Sequence, residues 1–231
     1  MPITDMNREI LKTVITESQR CQRNWDLSRR IPDDDIEVLK TAVAQAPSKQ
    51  NRVYYRPIFI TDRAAIEHIH QTTECFTINW DPYESTTNAQ VLANLLVVFV
   101  RDRNVGPEGI RTGIEYGLGE DPGKDVNANS WALLDENRAL GIAMGYLIMS
   151  AHLMGYCTGI YNAKHNPQLL FEMFGSEVLL ACGVGYHDEN RDRREHHLNP
   201  DYLYPSFDKD VIVEDGDIYT DRILGVDLTD T

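Results

Sequence analysis

The chain has 231 residues, a length that fits one large domain better than two. Hydrophobic residues make up 42% and charged residues 25%, ordinary values for a globular protein. Lys and Arg number 22 against 36 Asp and Glu, a formal net charge of -14, which argues against nucleic-acid binding through a cationic field and against docking to an anionic membrane.

In chain order, residues 5–19 set Ile10, Leu11, Val14 and Ile15 at helical spacing, and a first helix is expected there. The basic stretch RCQRNW (20–25) stops it. Pro32, followed by Asp33, Asp34 and Asp35, opens a second helix with carboxylates at the positive end of the helix dipole. Ile36, Leu39 and Val43 form its buried face, and APSKQN (46–51) ends it. YYRPIFIT (54–61) reads as a strand, after which Asp62 caps a helix through about Thr73. LANLLVVFVRD (92–102) ends in the clearest buried strand of the chain. Residues 103–128, rich in Gly, Pro, Asn and Asp, read as a long functional or mobile loop.

A long helix is expected from about Asn129 to Met154. Its stretch ALGIAMGYLIMSAHLMGYC (139–157) is apolar enough to be mistaken for a membrane span. DENR (135–138) lies directly upstream, and His152, Gly141 and Gly145 interrupt the run, so it reads as a buried central helix. CTGIYN (157–162) is a short strand and turn, NPQLLFEMFG (166–175) a helix with Pro at its start and Gly at its end, and EVLLACGVGY (177–186) another buried strand. From Asn199 helix signals are few. Residues 199–231 are therefore expected to form an extended tail lying on another surface, after a domain of residues 1–198. Helices before, between and after a few strands make the class α+β.

Cys21, Cys75, Cys157 and Cys182 are widely spread and form no CxxC pair, and no secretory stretch opens the sequence. Free thiols in a reducing cytoplasm are the expectation. GLGEDPGKD (117–125) looks like a phosphate-binding loop but fails: Leu118 replaces the first glycine, and Asp125 stands where a hydroxyl should hold Mg²⁺. HDENRDRREHH (187–197) brings His187, His196 and His197 near carboxylates, but the spacing matches no zinc pattern. It reads as a solvated charged loop whose arginines are possible anion partners, and no metal is expected. There is no GxSxG elbow, and GVGY (183–186) lacks the GxGxxG continuation. No catalytic dyad emerges.

Two stretches carry more polar chemistry than connectors need. RCQRNW sets Arg20 and Arg23 at the end of a helix with no acid between them, which suits a phosphate held by charge-assisted bonds. APSKQN offers backbone N–H groups, a hydroxyl and amides on a chain pinned by Pro47, and amides can read the edge of a heterocycle. Taken singly, the first also fits an ordinary basic turn and the second a polar helix terminus.

Together the pieces resemble the nitroreductase family of flavoproteins. That family begins with a helix ending in a pattern close to R-R-S-x-R-x-F, matched by QRCQRNW with Trp25 in the aromatic place. It continues through a helix to A-P-S-x-x-N, matched by APSKQN, and then a strand. A buried strand (LLVVFV), a long apolar helix ending at Met154-Gly155, the turn TGIYN, a strand ending in VGY, a basic stretch and an extended tail follow in the family's order. The resemblance implies a mixed, mainly antiparallel sheet flanked by helices, in a homodimer whose subunits embrace and hold FMN in clefts at their interface. On that basis Arg20 and Arg23 contact the phosphate and ribityl end, with Cys21 in the usual place of Ser. Pro47, Ser48 and Asn51 meet the flavin ring and its edge. Asn88 approaches the ribityl chain or pyrimidine, Ile160, Tyr161 and Asn162 lie near the reactive face, and Arg193, Arg194 or His197 completes the phosphate site. The sequence departs from the family at Gln19 (Arg there), at Cys21, and in NRVYY where N-x-Q-P-W is common; Tyr54 and Tyr55 are expected to supply stacking surface instead.

The resemblance further implies an NAD(P)H-dependent flavin oxidoreductase of the nitroreductase type. NAD(P)H reduces FMN and leaves, and a small-molecule acceptor such as a nitroaromatic or quinone then enters the same cleft. Arg23 is the expected donor near N1 and O2 of the ring. Two alternatives stay open on the sequence: a flavoenzyme of the same fold with another task, dehydrogenation or flavin fragmentation, and a flavin-binding protein that is not an enzyme.

Overall fold

A computed structural model describes residues 5–51, 53–73, 88–102, 126–162, 166–196 and 199–203. In chain order the elements are α1 (Asp5–Ser18), α2 (Asp33–Ala44), a 3-10 turn (Lys49–Asn51), β1 (Tyr55–Ile60), α3 (Arg63–Gln71) and a second 3-10 turn (Ala89–Leu92). They continue with β2 (Leu95–Arg101), α4 (Val126–Leu153), β3 (Cys157–Tyr161), α5 (Pro167–Phe174), β4 (Val178–Gly185), β5 (Glu195–His196) and β6 (Asn199–Leu203). The main sheet has the order β1-β2-β4-β3, and every neighbouring pair is antiparallel. The class is α+β, as the sequence implies.

β2 reads as an unbroken apolar run because both of its faces are covered. Leu95, Val97 and Phe99 pack with Leu39, Val43, Ala143 and Leu147 from α2 and α4. Leu96, Val98 and Val100 pack on the other side with Ile66 and Ile69 of α3 and Leu170 of α5. Fully buried side chains such as Leu39 and Leu147 each contribute about 2 kcal/mol of burial. Local signals set the helix ends. The Asp62 carboxylate accepts from Ala65 N at 2.7 Å, and Asn166 accepts from Leu169 N at 3.0 Å. Gly175, at φ 67°, closes α5 with its N–H on Phe171 O.

Four expectations change. First, α4 begins at Val126, within the expected loop, and DENR lies inside it, as the expected helix implies. Asp135 and Glu136 are buried and paired: Lys49 Nζ is 2.7 Å from Asp135, and Arg101 holds Glu136 through Nε and Nη2. Second, α4 is buried along one face only; Ile142, Tyr146 and Leu153 lie exposed on the other. α1 behaves alike, with Val14 buried and Ile10 and Ile15 exposed. Each helix packs on one layer of the chain, so only one stripe finds apolar neighbours. Third, Tyr54 and Tyr55 are buried in the core, Tyr55 edge-on to Phe99 at 5.4 Å, and offer no stacking surface. Fourth, the charged loop is a compact turn. Arg191 Nε bonds Glu195 at 3.0 Å, Arg193 and Arg194 are half-buried, and His196 is buried. The tail begins by pairing, with β6 antiparallel to β5. Residues 103–125 and 204–231, with His197 and Cys75, lie outside the described residues. Among the described residues no helix is long and apolar enough to cross a membrane.

Close approach of backbone to the sheet shapes the region beside β3. A Cβ on Gly183 would fall 2.1 Å from Gln90 O, and one on Gly185 would fall 2.0 Å from Asn94 Oδ1. On Gly159 it would fall 2.5 Å from Gln22 O. Three glycines on neighbouring strands therefore let residues 90–94 and the chain at Gln22 lie directly on the β3–β4 end of the sheet.

Candidate functional site

After α1 the chain runs extended beside β3. Gln22 N donates to Thr158 O at 2.8 Å, Trp25 bridges His187, and Asp26 N donates to Tyr186 O at 2.9 Å. An extended chain turns successive side chains to opposite sides. Gln22 and Asn24 are buried, whereas Cys21 and Arg23 remain partly exposed. The even positions form a hydrogen-bonded frame. Gln22 Oε1 accepts from Arg23 N and Asn24 N, both at 2.8 Å, and its amide nitrogen lies 2.7 Å from His187 Nδ1. Since Oε1 is engaged by two N–H groups, the Gln22 NH₂ donates and His187 Nδ1 accepts. Trp25 Nε1 donates to Ala89 O at 2.9 Å, which ties in the turn that follows the buried Asn88.

Asn24 reaches across to the 191–195 turn, donating to Asp192 O at 2.7 Å and Glu195 O at 2.8 Å. The turn presents Arg193 and Arg194 to the 20–25 segment. Burial pushes the Arg193 guanidinium below its usual range. Next in size, Arg20 pushes the same way, as do Arg194 and Arg23, while Asp192 opposes them. Thus guanidiniums from two segments far apart in sequence converge. Arg20 is also paired with Glu17 at 2.7 Å, and Arg194 with Asp192 at 3.3 Å. A cavity of about 510 Å³ opens here, walled by Glu17, Arg20, Gln22, His152, His187 and Arg193. Burial lowers the His152 pKa and raises that of the neighbouring Cys157 thiol. Cys21 Sγ lies 4.0 Å from Ile160 O; burial pushes its thiol up, and Arg23 pulls the other way.

β3 sorts its own candidates. Ile160 is exposed, Asn162 is exposed at the strand end, and Tyr161 points into the core with Ile66 and Leu170. The Tyr161 backbone, not its ring, is what the strand offers to the surface.

The APSKQN candidates lie elsewhere. α2 ends at Ala44 and Gln45 N–H caps it, because the residue before a proline disfavours helix. Asn51 N then donates to Ser48 O at 3.0 Å, and Asn51 sits at φ 54°. That left-handed conformation in a non-glycine residue is uncommon and collects at functional sites. Ser48 Oγ is buried with no hydrogen-bond partner among the described residues. Lys49 ties this loop to Asp135, in the first half of α4. The arginine cavity instead includes His152, at the other end of that helix. From Asp135 to His152 the helix advances about 25 Å. The candidates therefore form two groups: Arg20, Cys21, Arg23, Asn88, Ile160, Arg193 and Arg194 in one, and Pro47, Ser48 and Asn51 in the other.

The fold also matches solved proteins. Nitroreductase A from Vibrio parahaemolyticus aligns with a TM-score of 0.57 at 16% identity, over 94% of this chain and 85% of that one. The FMN-dependent nitroreductase from Clostridium difficile aligns at 0.56 and 13% identity, over 95% and 99%. NfrA2 of B. megaterium aligns at 0.58 and 15%, over 94% and 86%. The chain has the nitroreductase fold. No family sequence model matches it, and no curated protein matches it in sequence. The likeness is thus one of fold, carried at low identity over nearly the whole chain.

Within the nitroreductase fold, sequence reasoning found the two polar stretches but missed what holds them. Gln22, Asn24 and Asp135 do that work. The alternation of polar side chains in RCQRNW would have revealed the first two had the stretch been read as extended rather than as a turn.

Proposed function

We propose that the protein is an FMN-dependent oxidoreductase that takes electrons from NAD(P)H and delivers them to a small acceptor such as a nitroaromatic or quinone, and that it works as a homodimer. The observation that carries this is the convergence of Arg20, Arg23, Arg193 and Arg194 beside the edge strand β3 of a nitroreductase fold. Glu17 and Asp192 offset part of this charge, yet four guanidiniums still outnumber two carboxylates, and in a chain of net charge -14 such a cluster is locally exceptional. The residues present fit a flavin mononucleotide. Guanidiniums suit its phosphate, the exposed Ile160 suits a ring face, and the orphaned Ser48 hydroxyl and Asn51 suit a ring edge. His197, outside the described residues, belongs to the same proposal.

Bound FMN would supply the hydride chemistry. The chain's own groups bind, orient and polarise. Arg20, Arg193 and Arg194 would hold the phosphate, and the positive charge of Arg23 would favour an anionic reduced form. Cys21 fills the wall between Arg23 and Ile160 as a neutral thiol, since burial raises its pKa. No side chain is assigned a proton transfer.

The homodimer rests on two observations. The two candidate groups meet α4 at points about 25 Å apart along its axis, which favours a site that two chains complete. The exposed stripe of Ile142, Tyr146 and Leu153 on α4, with Ile10 and Ile15 on α1, gives such a pairing an apolar face.

The test is the visible spectrum of the purified protein with added FMN, before and after anaerobic addition of NADPH or NADH. The expected result is a bound flavin band that bleaches on reduction and returns with a quinone. A protein that stays colourless and leaves FMN fluorescence unquenched would refute the proposal. A bound band that neither nucleotide bleaches would reduce it to flavin binding.

A further inference from the structure

We propose that Asn24 is a positioning residue that fastens the Arg193–Arg194 turn to the Arg20–Arg23 segment and so assembles one anion site from two parts of the chain. The inference deepens the flavin reading above and rests on it for the identity of the anion. Asn24 is 2% exposed. Its amide hydrogens go to the carbonyls of Asp192 and Glu195, the residues on either side of the arginine pair. Its own N–H goes to Gln22 Oε1, and its carbonyl accepts from Asp188 N at 3.2 Å. One side chain thus spans the frame and the turn across 168 residues of sequence.

The chemistry calls for asparagine in this place. The turn is internally closed: Asp192 N donates to Glu195 Oε1 at 2.9 Å, and Arg194 N donates to Asp192 Oδ1 at 2.7 Å. Closure shapes the turn but does not dock it. Docking buries Arg193 beside Arg20 and Arg23; burial first, and then the neighbouring positive charges, push its pKa down. Asn24 gives the turn a hold that does not depend on charge. A neutral amide donating to two carbonyls does so without cancelling the positive field that the anion needs. An aspartate would set oxygens against carbonyl oxygens and would neutralise an arginine. The amide orientation is fixed by the same logic, since the reverse assignment would face Oδ1 toward both carbonyls. The cost is visible: Asn24 Oδ1 is buried with no hydrogen-bond partner among the described residues. The side chain is arranged for its two donated bonds.

The test compares wild type with Asn24→Ala and Asn24→Ser, each first checked for a wild-type circular dichroism spectrum. In the first arm, FMN-free protein is exposed to trypsin, and cleavage after Arg191, Arg193 and Arg194 is timed by mass spectrometry. Release of the turn should speed that cleavage about tenfold, the scale set by losing two hydrogen bonds, while cleavage elsewhere stays unchanged. Equal rates at the turn would overturn the proposal whether or not the protein binds flavin. In the second arm, the affinities for FMN and for riboflavin, which lacks the phosphate, are measured by fluorescence quenching. The variants should lose about tenfold in FMN affinity and keep that for riboflavin, because the Arg193–Arg194 turn serves the phosphate and not the ring. Equal losses for both ligands would show a merely structural role and overturn the proposal. Wild-type protein that binds neither flavin would sink the flavin reading, and the trypsin arm would then decide the docking alone.

Discussion

Glu136 is 1% exposed, and Arg101 meets its carboxylate with two nitrogens. Arg101 is itself shared with Glu177, and its carbonyl accepts from Ser176 Oγ. This cluster closes the end of β2 against α4. Glu136→Ala leaves Arg101 half-buried with Glu177 as its one acidic partner among the described residues, and the expected loss is about 3 kcal/mol, read as a lower denaturant midpoint with unchanged slope. No such pairing is visible from sequence, where DENR looks like a polar flank. Local patterns carry no information about a partner on a distant strand. Asn24 was hidden for the same reason: its bonds go to backbone carbonyls that no side-chain pattern marks. Ser48 and Asn51 were legible because Pro47 stops a helix visibly, and the residues after a forced stop must go somewhere particular. The left-handed φ of Asn51 was the part that could not be foreseen, since asparagine tolerates that region but does not require it.

Among the elements, those with covered faces were easiest to read. β2 announces itself because two layers bury it, and α3 and α5 because Asp62 and Asn166 cap them. The extended chain at 20–25 carries no strand signal in sequence, because it forms only single bonds to the sheet and has no ladder of its own. What lets it lie there is glycine on the strands beneath. Gly183→Ala is the sharpest trial. Its Cβ would meet the Gln90 carbonyl, which is backbone and cannot swing aside. The turn Ala89–Leu92 must shift, and with it Trp25, whose indole bonds Ala89 O. The expected result is a loss of about 2 kcal/mol or more, the scale of overpacking in a dense interior, together with a change in Trp fluorescence. Unchanged stability and emission would mean that the close contact relaxes at no cost. α4 shows the converse limit. Its apolar run was read as buried, yet a run apolar on every side cannot reveal which face the chain itself covers.

For the whole molecule, the overall class, the order of elements and the location of the polar stretches were legible, because hydrophobic pattern and stop signals act locally. The spatial separation of the candidate groups was not. QRCQRNW and APSKQN lie close in sequence, and nothing local tells that α2 carries the second away along α4. The N-terminal end of α2 is pinned near the far end of α4 by the bond from Tyr156 to Asp35, so its exit lies toward Asp135.

That separation has a genetic consequence. If a complete site needs the arginines of one subunit and the Ser48 loop of the other, lesions in the two stretches belong to different halves of each site. A dimer of Arg23→Ala chains has no intact site, nor does a dimer of chains carrying Ser48→Leu. Put both alleles in one cell, and a mixed dimer gathers both lesions into one site and leaves its twin whole. With random pairing about a quarter of all sites are restored, so two recessive null alleles should complement each other. Two lesions within the same stretch, such as Arg23→Ala with Arg193→Ala, should not.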